Sequence, residues 1–575
     1  MANKWELKPI APNDFIKKNS EYNKIILQLL FNRRLINKKD IESFFKPNEV
    51  SLSDPFLLKN MEAAAALTIK NIKEQNLIAV CGDYDTDGVT ATAALIEILN
   101  IFKAKTSVFI PGRTSGGYGL NKKAIDELAK NGAKLIITVD NGIRSKEEVI
   151  YAKKLGLDVI ITDHHEPPLD KNDWPDCLII NPKAEDYPYK SLAGVGVAFK
   201  FVQGLIRLSK LDEQLKNKLA EKVLDLVAIG TVADMVSLLG ENRILVNQGL
   251  KIINQGKRLG VAELIKVAQT NGSSNKKINS FHIGWQISPR LNSAGRMDHA
   301  NTAYELLITK DKTEAQTIAK KLNIRNGERQ KITEEITDYC RKLIEEKMLS
   351  DKILIVCSPN IKDIKAEGWQ EGVVGLVAGR LCDEYSRPVL VITKTKNEIK
   401  GSGRSIDEFN IMEAIEKTSV YLEKFGGHAA ACGFTLKSRE VLEKFIEEMK
   451  KIVNQALTGV ELSSKILIEA EIGLSDINDE LLEALEKFEP FGEDNDKPKF
   501  LSRGLKIMDK VNMGADAKHI KFRFDSIWAV AFSQAENLKY LKIGDEVDIV
   551  YYLEFNEFNG RRTAQMKLVD IKLSN

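Results

Sequence analysis

The chain has 575 residues, 43% hydrophobic and 29% charged, with a formal net charge of +3. That length holds about three to four domains of ordinary size, with ample apolar material for packed cores. So small a net charge excludes bulk electrostatics as the sign of a nucleic-acid partner, which must instead be met by a local basic surface.

The first residues, "MANKWELKPIAPNDF", lack the apolar core of a signal peptide. No run of about 18 apolar residues follows, so no membrane span is expected. The six cysteines (Cys81, Cys177, Cys340, Cys357, Cys382, Cys432) form no CxxC pair and read as free thiols of a reducing cytoplasm. From "LIAVC" (77–81) the pattern alternates between short apolar strands and helices, through "SVFI" (107–110), "KLIITV" (134–139) and "DVIIT" (158–162). Strands alternating with helices predict βαβ units and a parallel sheet, and near-continuous apolar strands fit a sheet covered on both faces. Residues 192–307 read as mostly helical. A long charged stretch, 313–348, reads as a helix spanning between lobes; the alternative is a hairpin broken at Gly327.

A second α/β segment runs from "ILIVC" (353–357) through "GVVGLVAGRLCDEY" and "RPVLVI", followed by two glycine-rich loops, "GSGRS" (401–405) and "FGGHAAACG" (425–433). From about 462 short β-rich runs separated by Gly, Asn and Asp suggest a small antiparallel barrel of the OB kind. The expected division is 1–310 with an N-terminal extension over 1–70, a connecting helix over 311–348, a smaller α/β domain over 349–458, and the OB-like domain over 459–575.

Metal-type ligands follow the first of these elements. Asp83, Asp85 and Asp87 lie in "GDYDTDG", Asp140 in "DNG", Asp163, His164 and His165 in "TDHHEPP", and Asp234 in "GTVADMV". In an open parallel sheet, ligands gather at the carboxyl ends of strands, so three of these loops should converge. Clustered carboxylates repel one another unless a cation sits among them. Carboxylate oxygens with one or two imidazoles suit Mn²⁺ or Mg²⁺ better than structural Zn²⁺. Two such ions about 4 Å apart clamp a phosphoryl group and ionise the attacking water, with no nucleophilic serine or cysteine required. Duller readings exist for each motif alone. "DYDTDG" as a calcium loop lacks the glutamate of an EF-hand, and a lone "DNG" is a turn. Four such motifs in this order favour one site.

These motifs resemble the four of the DHH phosphoesterase family, and "GVVGLVAGRL", "GSGRS" and "FGGHAAACGF" resemble its associated domain. "SPRLNSAGRM" (288–297), the connecting helix and the OB-like end resemble that family's single-strand-specific DNA exonucleases. Gln370 stands where that branch would carry a histidine. The resemblance implies two bound Mn²⁺ or Mg²⁺ ions. His164 would be a direct ligand, His165 would face the scissile phosphate, and Asp163 would support both. Asp85, Asp87, Asp140 and Asp234 would be further ligands, with Asp83 nearby and Asp140, on a central strand, as the bridge. Arg290, Asn292, Arg296 and His428 would lie near the strand's phosphates. Arg113, Ser402 and Arg404 would form a 5′-phosphate pocket drawn from both domains across a cleft, with Tyr118 stacking on a base.

A two-metal core alone fits a single-strand exonuclease, a phosphodiesterase of cyclic dinucleotides or short oligonucleotides, or a pyrophosphatase; a non-enzymatic scaffold is disfavoured by the intact ligand set. The OB-like end favours the exonuclease, because OB folds bind single strands through basic grooves and aromatic platforms. Phe522, Phe524, Trp528, Tyr551, Tyr552, Phe555, Phe558, Arg561 and Arg562 are its candidates, about two-thirds of the aromatics being expected in the barrel core. The expectation is then a cytoplasmic, monomeric 5′→3′ exonuclease of DNA repair and recombination. It would release 5′-mononucleotides and work beside a single-strand-binding protein and a helicase.

Overall fold

The computed structural model describes residues 3–47, 52–112, 119–184, 186–269, 277–297, 299–359, 361, 363, 368–395, 398–514, 516–558 and 560–574. Arg113 and Tyr118 lie outside the described residues. The chain forms two compact units, Trp5–Asn323 with Leu467–Asn575, and Ile324–Ile466 with the first four residues.

In the larger unit the apolar runs become strands β1 (Leu77–Cys81), β2 (Lys105–Phe109), β3 (Ala133–Val139), β4 (Asp158–Thr162) and β5 (Leu178–Ile180). They form one parallel sheet in the order β2-β1-β3-β4-β5. The chain leaves β1 outward to β2 and then crosses back to β3. The loops leaving the neighbouring strands β1 and β3 therefore diverge and open a crevice at their carboxyl ends. Helices α1 (Thr86–Ile101) and α2 (Gly194–Leu208) pack over this sheet, α3 (Leu224–Ala233) packs on both of them, and all three are buried along most of their length. Their apolar residues run around the whole helix, as in helices that are buried on all sides. Helix α4 (Ser288–Met297) follows a π-helical turn, Ile283–Ile287.

The long charged stretch is a single helix, α5 (Lys312–Lys347), with no break at Gly327. A Cβ at Gly327 would meet nothing within 4 Å, so the glycine lowers local helix propensity, by about 1 kcal/mol relative to alanine, without a steric reason to break the helix. The hairpin alternative is thereby excluded, and the boundary between the two units falls inside this helix.

The smaller unit holds β6 (Leu354–Cys357), α6 (Glu371–Tyr385), β7 (Val389–Lys394), β8 (Ile399–Arg404), β9 (Leu422–His428) and β10 (Ala431–Leu436), in the sheet order β9-β10-β8-β7-β6. The two glycine-rich segments expected as loops are strands. "GSGRS" lies largely in β8 and "FGGHAAACG" spans β9 and β10, and their backbones pair along antiparallel ladders. The glycines serve packing. A Cβ on Gly401 would sit 2.1 Å from the Phe434 ring, and one on Gly403 would sit 2.6 Å from the Cys432 sulfur. Glycine in a strand marks such close approach as readily as it marks a turn.

The C-terminal part is a seven-stranded sheet. Its strands are β11 (Ala470–Glu471), β12 (Lys499–Lys506), β13 (Asp509–Met513), β14 (His519–Phe524), β15 (Ile527–Ala531), β16 (Glu546–Phe558) and β17 (Arg561–Leu573), in the order β11-β12-β16-β17-β15-β14-β13. It departs from the antiparallel expectation at two pairings, β11 with β12 and β15 with β17, which are parallel. Residues 1–70 do not act only as an extension of the first domain. Phe15, Leu27, Leu30, Ile41 and Phe44 share one core with Phe488, Phe500, Phe522, Ile549 and Tyr551 of the C-terminal part. Arg243 lies 3.7 Å over the Phe44 ring and donates to the carbonyls of Phe44, Lys487 and Phe488.

Candidate active site

Three loops leaving β1, β3 and β4, with the end of α3, bring the predicted ligands together. Asp85 caps α1, its Oδ1 accepting the Gly88 amide at 3.0 Å. Asp87, in the first turn of α1, is buried. Its Oδ2 accepts the Gly194 amide at 2.7 Å and its Oδ1 the Val195 amide at 2.8 Å. These amides open α2, whose N-terminal partial positive charge suits a carboxylate. Gly194 is obligatory here: a Cβ would lie 2.4 Å from Asp140 Oδ1.

Asp140 follows the central strand β3 with φ 63, a left-handed conformation that costs a non-glycine residue on the order of 1–3 kcal/mol and clusters at functional sites. Its amide donates to Thr162 O at 2.9 Å, fixing the β3 loop to the end of β4. Asp163 binds the same two loops. Its Oδ2 accepts the Ile143 amide at 2.9 Å, and its Oδ1 accepts the His164 amide at 2.8 Å and lies 2.8 Å from His165 Nδ1. His164 Nε2, buried and without a hydrogen bond, faces Asp140 Oδ1 at 3.2 Å, Asp234 Oδ2 at 3.7 Å and Asp87 Oδ2 at 3.9 Å.

Three groups of potential ligands result: Asp83–Asp85–Asp140, Asp140–His164–His165, and Asp87–His164–Asp234, the ligand atoms within each lying within 4.8 Å of one another. Carboxylates at that separation repel by roughly 3 kcal/mol per pair at an effective dielectric constant near 20. Burial, reinforced by the charges of Asp87 and Asp85, pushes Asp140 well above the usual carboxylate range. Burial and then Asp87 raise Asp234 to about 9, and burial and then Asp85 raise Asp87 to about 7. Burial, with His165 beside it, lowers His164 to about 3, so its ring is a neutral donor of a lone pair. A divalent cation is the group that satisfies this set: it keeps the carboxyls ionised and takes the unused Nε2. Oxygen and imidazole donors without thiolate fit Mn²⁺ or Mg²⁺.

Beside this cluster, Tyr84, Asp85, Asn292 and Arg296 line a recess of about 190 Å³. Asn292 also holds the metal loop, its Oδ1 accepting from Thr86 N at 2.8 Å. Arg290 is half-buried and already engaged, its Nε donating to Asn323 Oδ1 at 3.0 Å and its Nη1 to Gln286 O at 2.6 Å. In the smaller unit Ser402 and Arg404 stand on one face of β8, against α6, where a Cβ on Gly375 would be 3.0 Å from Ser402 Oγ and 3.5 Å from Arg404 Nη2. The amides of Gly401 and Gly403 lie in the sheet, so they are not the loop amides expected for an anion nest. His428 is exposed at the end of β9, and Gln370 is exposed immediately before α6.

The C-terminal aromatics divide by sheet face. Phe522, Phe524 and Tyr551 are core; Phe555 is partly buried against it. Trp528 and Tyr552 alternate onto the other face, with Lys521 4.1 Å over the Trp528 ring and Lys497 and Lys499 at 5.6 and 5.9 Å over Tyr552. Lys567 stands 5.5 Å over the exposed ring of Phe532. Arg561 is exposed, and Arg562 covers Phe555 at 3.9 Å and pairs with Glu557. The Phe558 side chain lies outside the described residues. Sequence reasoning missed Phe532, Lys521 and Lys567, and it missed Gly194, Thr86 and Asn181, whose Nδ2 donates to His165 O at 2.9 Å. The glycine pair in "LAGVGVAF" at a helix start was the available signal for Gly194.

Three family models match: the DHH family N-terminal domain over residues 77–231, the DHHA1 domain over 352–455, and the RecJ OB domain over 468–570. The single-stranded-DNA-specific exonuclease RecJ of Bacillus subtilis (strain 168) is 34% identical over 583 residues, covering 99% of this chain and 71% of that protein. RecJ of Escherichia coli (strain K12) is 32% identical over 541 residues, covering 89% of this chain and 90% of that protein. The crystal structure of Thermus thermophilus RecJ in complex with Mn²⁺ superposes with a TM-score of 0.83 at 26% identity, covering 100% of this chain and 80% of that one. The same protein's Mg²⁺ complex gives 0.77 at 25% identity, covering 100% and 79%. The order of the domains, the potential ligands at the crevice of the parallel sheet and these similarities along nearly the whole chain lead to one conclusion: the chain belongs to the RecJ family of single-stranded-DNA-specific exonucleases.

Proposed function

We infer that the protein is a metal-dependent exonuclease of single-stranded DNA that hydrolyses phosphodiester bonds with two divalent cations. The observation that carries the reading is the cluster of Asp83, Asp85, Asp87, Asp140, His164 and Asp234 at the crevice of the parallel sheet, in a chain similar to RecJ proteins along nearly its whole length. Asp140 belongs to two of the three ligand groups, which supports it as the bridge. When bound, the cations neutralise the phosphoryl group and acidify the attacking water. The chain's own residues supply the rest. Asp163 orients both histidine backbones, and burial, which would lower His165, is outweighed by the Asp163 hydrogen bond and charge, so His165 rises above its ordinary value. When protonated, His165 at the rim can donate to a phosphate oxygen or to the leaving group. Arg296 and the Asn292 amide border the recess beside Asp85 and suit a neighbouring phosphate.

The direction is 5′→3′, with release of 5′-mononucleotides. Ser402 and Arg404 on their common face suit a terminal 5′-phosphate, whose extra charge an arginine fork reads. A small-substrate phosphodiesterase would have no use for the basic and aromatic C-terminal face, which favours the exonuclease. Action in DNA repair and recombination, in the cytoplasm and beside a single-strand-binding protein and a helicase, follows from the same reading. Digestion of 5′-labelled and 3′-labelled single strands with Mn²⁺, with products resolved by size, tests it. Early release of the 5′ label as mononucleotide is the expected result. Loss from the 3′ end, or undiminished hydrolysis by Asp140→Ala, would overturn the reading.

A further inference from the structure

Helix α4 meets the metal loop at two points. Asn292 Oδ1 accepts from Thr86 N at 2.8 Å and from Thr86 Oγ1 at 3.0 Å. Thr86 sits between Asp85 and Asp87, is 1% exposed, and supplies the first amide of α1, a position with no partner inside its own helix. One turn along α4, Gly295 packs on the same loop, where a Cβ would lie 2.7 Å from Tyr84 O. A backbone N–H can only donate, so the oxygen of the Asn292 amide must face the loop, and its two Nδ2 protons turn away from it.

We propose that Asn292, seconded by the close approach of Gly295, is a positioning residue for the metal ligands. It fixes the 83–87 loop so that Asp85 and Asp87 meet Asp140 and His164, and it joins that loop rigidly to the helix that carries Arg290 and Arg296. The proposal rests on the two-cation reading above. It gives the two ends of one amide separate tasks. The oxygen serves the cations by way of Thr86, and the nitrogen serves the recess shared with Tyr84, Asp85 and Arg296. An asparagine that merely capped α1 would contribute to stability and leave cation affinity alone.

The test is Mn²⁺ binding to the full chain without nucleic acid, read by electron paramagnetic resonance of the free ion, alongside thermal unfolding. Asn292→Leu keeps the size and removes the acceptor, and Mn²⁺ affinity should fall at least tenfold. Asn292→Asp keeps the acceptor for Thr86, so Mn²⁺ affinity should stay at or above wild type. The same variant should raise KM for the strand, because the donor toward the recess is gone. Gly295→Ala should weaken Mn²⁺ binding as Asn292→Leu does, by displacing the loop from a second point. A folded Asn292→Leu with wild-type Mn²⁺ affinity and only a lowered Tm would overturn the proposal, as would Asn292→Asp losing as much affinity as Asn292→Leu. If Asn292→Leu does not fold, Gly295→Ala decides, and unchanged affinity there refutes the clamp. A wild-type chain that binds no Mn²⁺ would instead refute the two-cation reading itself.

Discussion

Asp163 Oδ1 lies 2.8 Å from His165 Nδ1, two residues on in the chain, and also accepts the His165 amide at 3.1 Å. Burial pushes the Asp163 carboxyl up, but the hydrogen bond and charge of His165 outweigh it and hold the group below its ordinary value. The two groups thus favour each other's charged forms. Asp163→Asn should lose the charge that supports His165 and set an amide N–H against a backbone N–H that the carboxylate now accepts. A fall in kcat of about 10–100-fold is expected, the usual cost of removing such an orienting partner. Steady-state kinetics at saturating Mn²⁺ checks it. Wild-type kcat would show that His165 needs no such support.

Without metal, the site should make the protein less stable as pH rises. Asp87 at about 7, Asp234 at about 9 and Asp140 well above 3.8 are raised above their unfolded values, so the folded state binds extra protons up to those pH values. Stability then falls as those protons are lost. His164, lowered to about 3, acts in the opposite sense, but only below its ordinary value of 6.5. The window free of that opposition runs from 6.5 to about 9. Tm in chelator should decline across it, Mn²⁺ should flatten the decline, and Asp140→Asn should make it shallower. Calorimetry over this range measures all three, and a chelated wild type that gains stability toward pH 9 would contradict the burial of these carboxyls.

Arg404→Ala should narrow the preference for a 5′-phosphate over a 5′-hydroxyl and leave the Mn²⁺ requirement unchanged. Arg404 Nη1 donates to Gly403 O at 2.7 Å, which holds the guanidinium close to its own strand on the face it shares with Ser402. The two substrates compared at equal concentration give the ratio directly; an unaltered ratio would remove Arg404 from end recognition.

On the C-terminal sheet, Trp528→Ala should weaken single-strand binding by roughly tenfold or more, in line with about 1–3 kcal/mol per stacked base. Lys521→Ala should make the slope of log affinity against log salt shallower by about 0.7 for each phosphate that the lysine neutralises. Phe522→Ala, on the core face, should instead cost about 3–5 kcal/mol of stability. Fluorescence anisotropy at several salt concentrations, with denaturant unfolding, separates the two faces. Equal binding losses from Trp528→Ala and Phe522→Ala at matched stability would deny that the faces differ in function.

The parallel character of the first sheet and the convergence of its acidic exits were legible in the sequence because apolar strands followed at once by Asp or His carry both signals within a few residues. The expected place of Asp140 on a central strand agrees with the sheet order, in which its strand lies between those that lead to Asp85 and to His164. What escaped depends on packing between residues distant in sequence. Gly194 reads as an ordinary helix start until Asp140 is found against it. The glycines of "GSGRS" read as loop because a ring such as Phe434, lying over Gly401, leaves no mark in the local pattern. Phe522 and Trp528 are equally aromatic in the sequence; only the strand register assigns one to the core and the other to the opposite, partly exposed face.

The core shared by the two ends of the chain has a consequence for biosynthesis. Phe15, Leu27, Leu30 and Phe44 leave the ribosome more than 400 residues before their packing partners Phe488, Phe522 and Tyr551. Arg33 waits for Asn495, 462 residues later, to receive its Nε hydrogen bond. Until then the amino-terminal helices Asn13–Lys18, Lys24–Asn32 and Lys38–Phe45 carry an uncovered apolar side, the kind of surface that chaperones bind and that aggregates when it is not protected. A shortened chain that keeps the amino-terminal helices but stops before residue 467 would make that exposure permanent. An isolated catalytic core should therefore dissolve better when residues 3–47 are removed together with the carboxyl-terminal sheet than when either segment is removed alone.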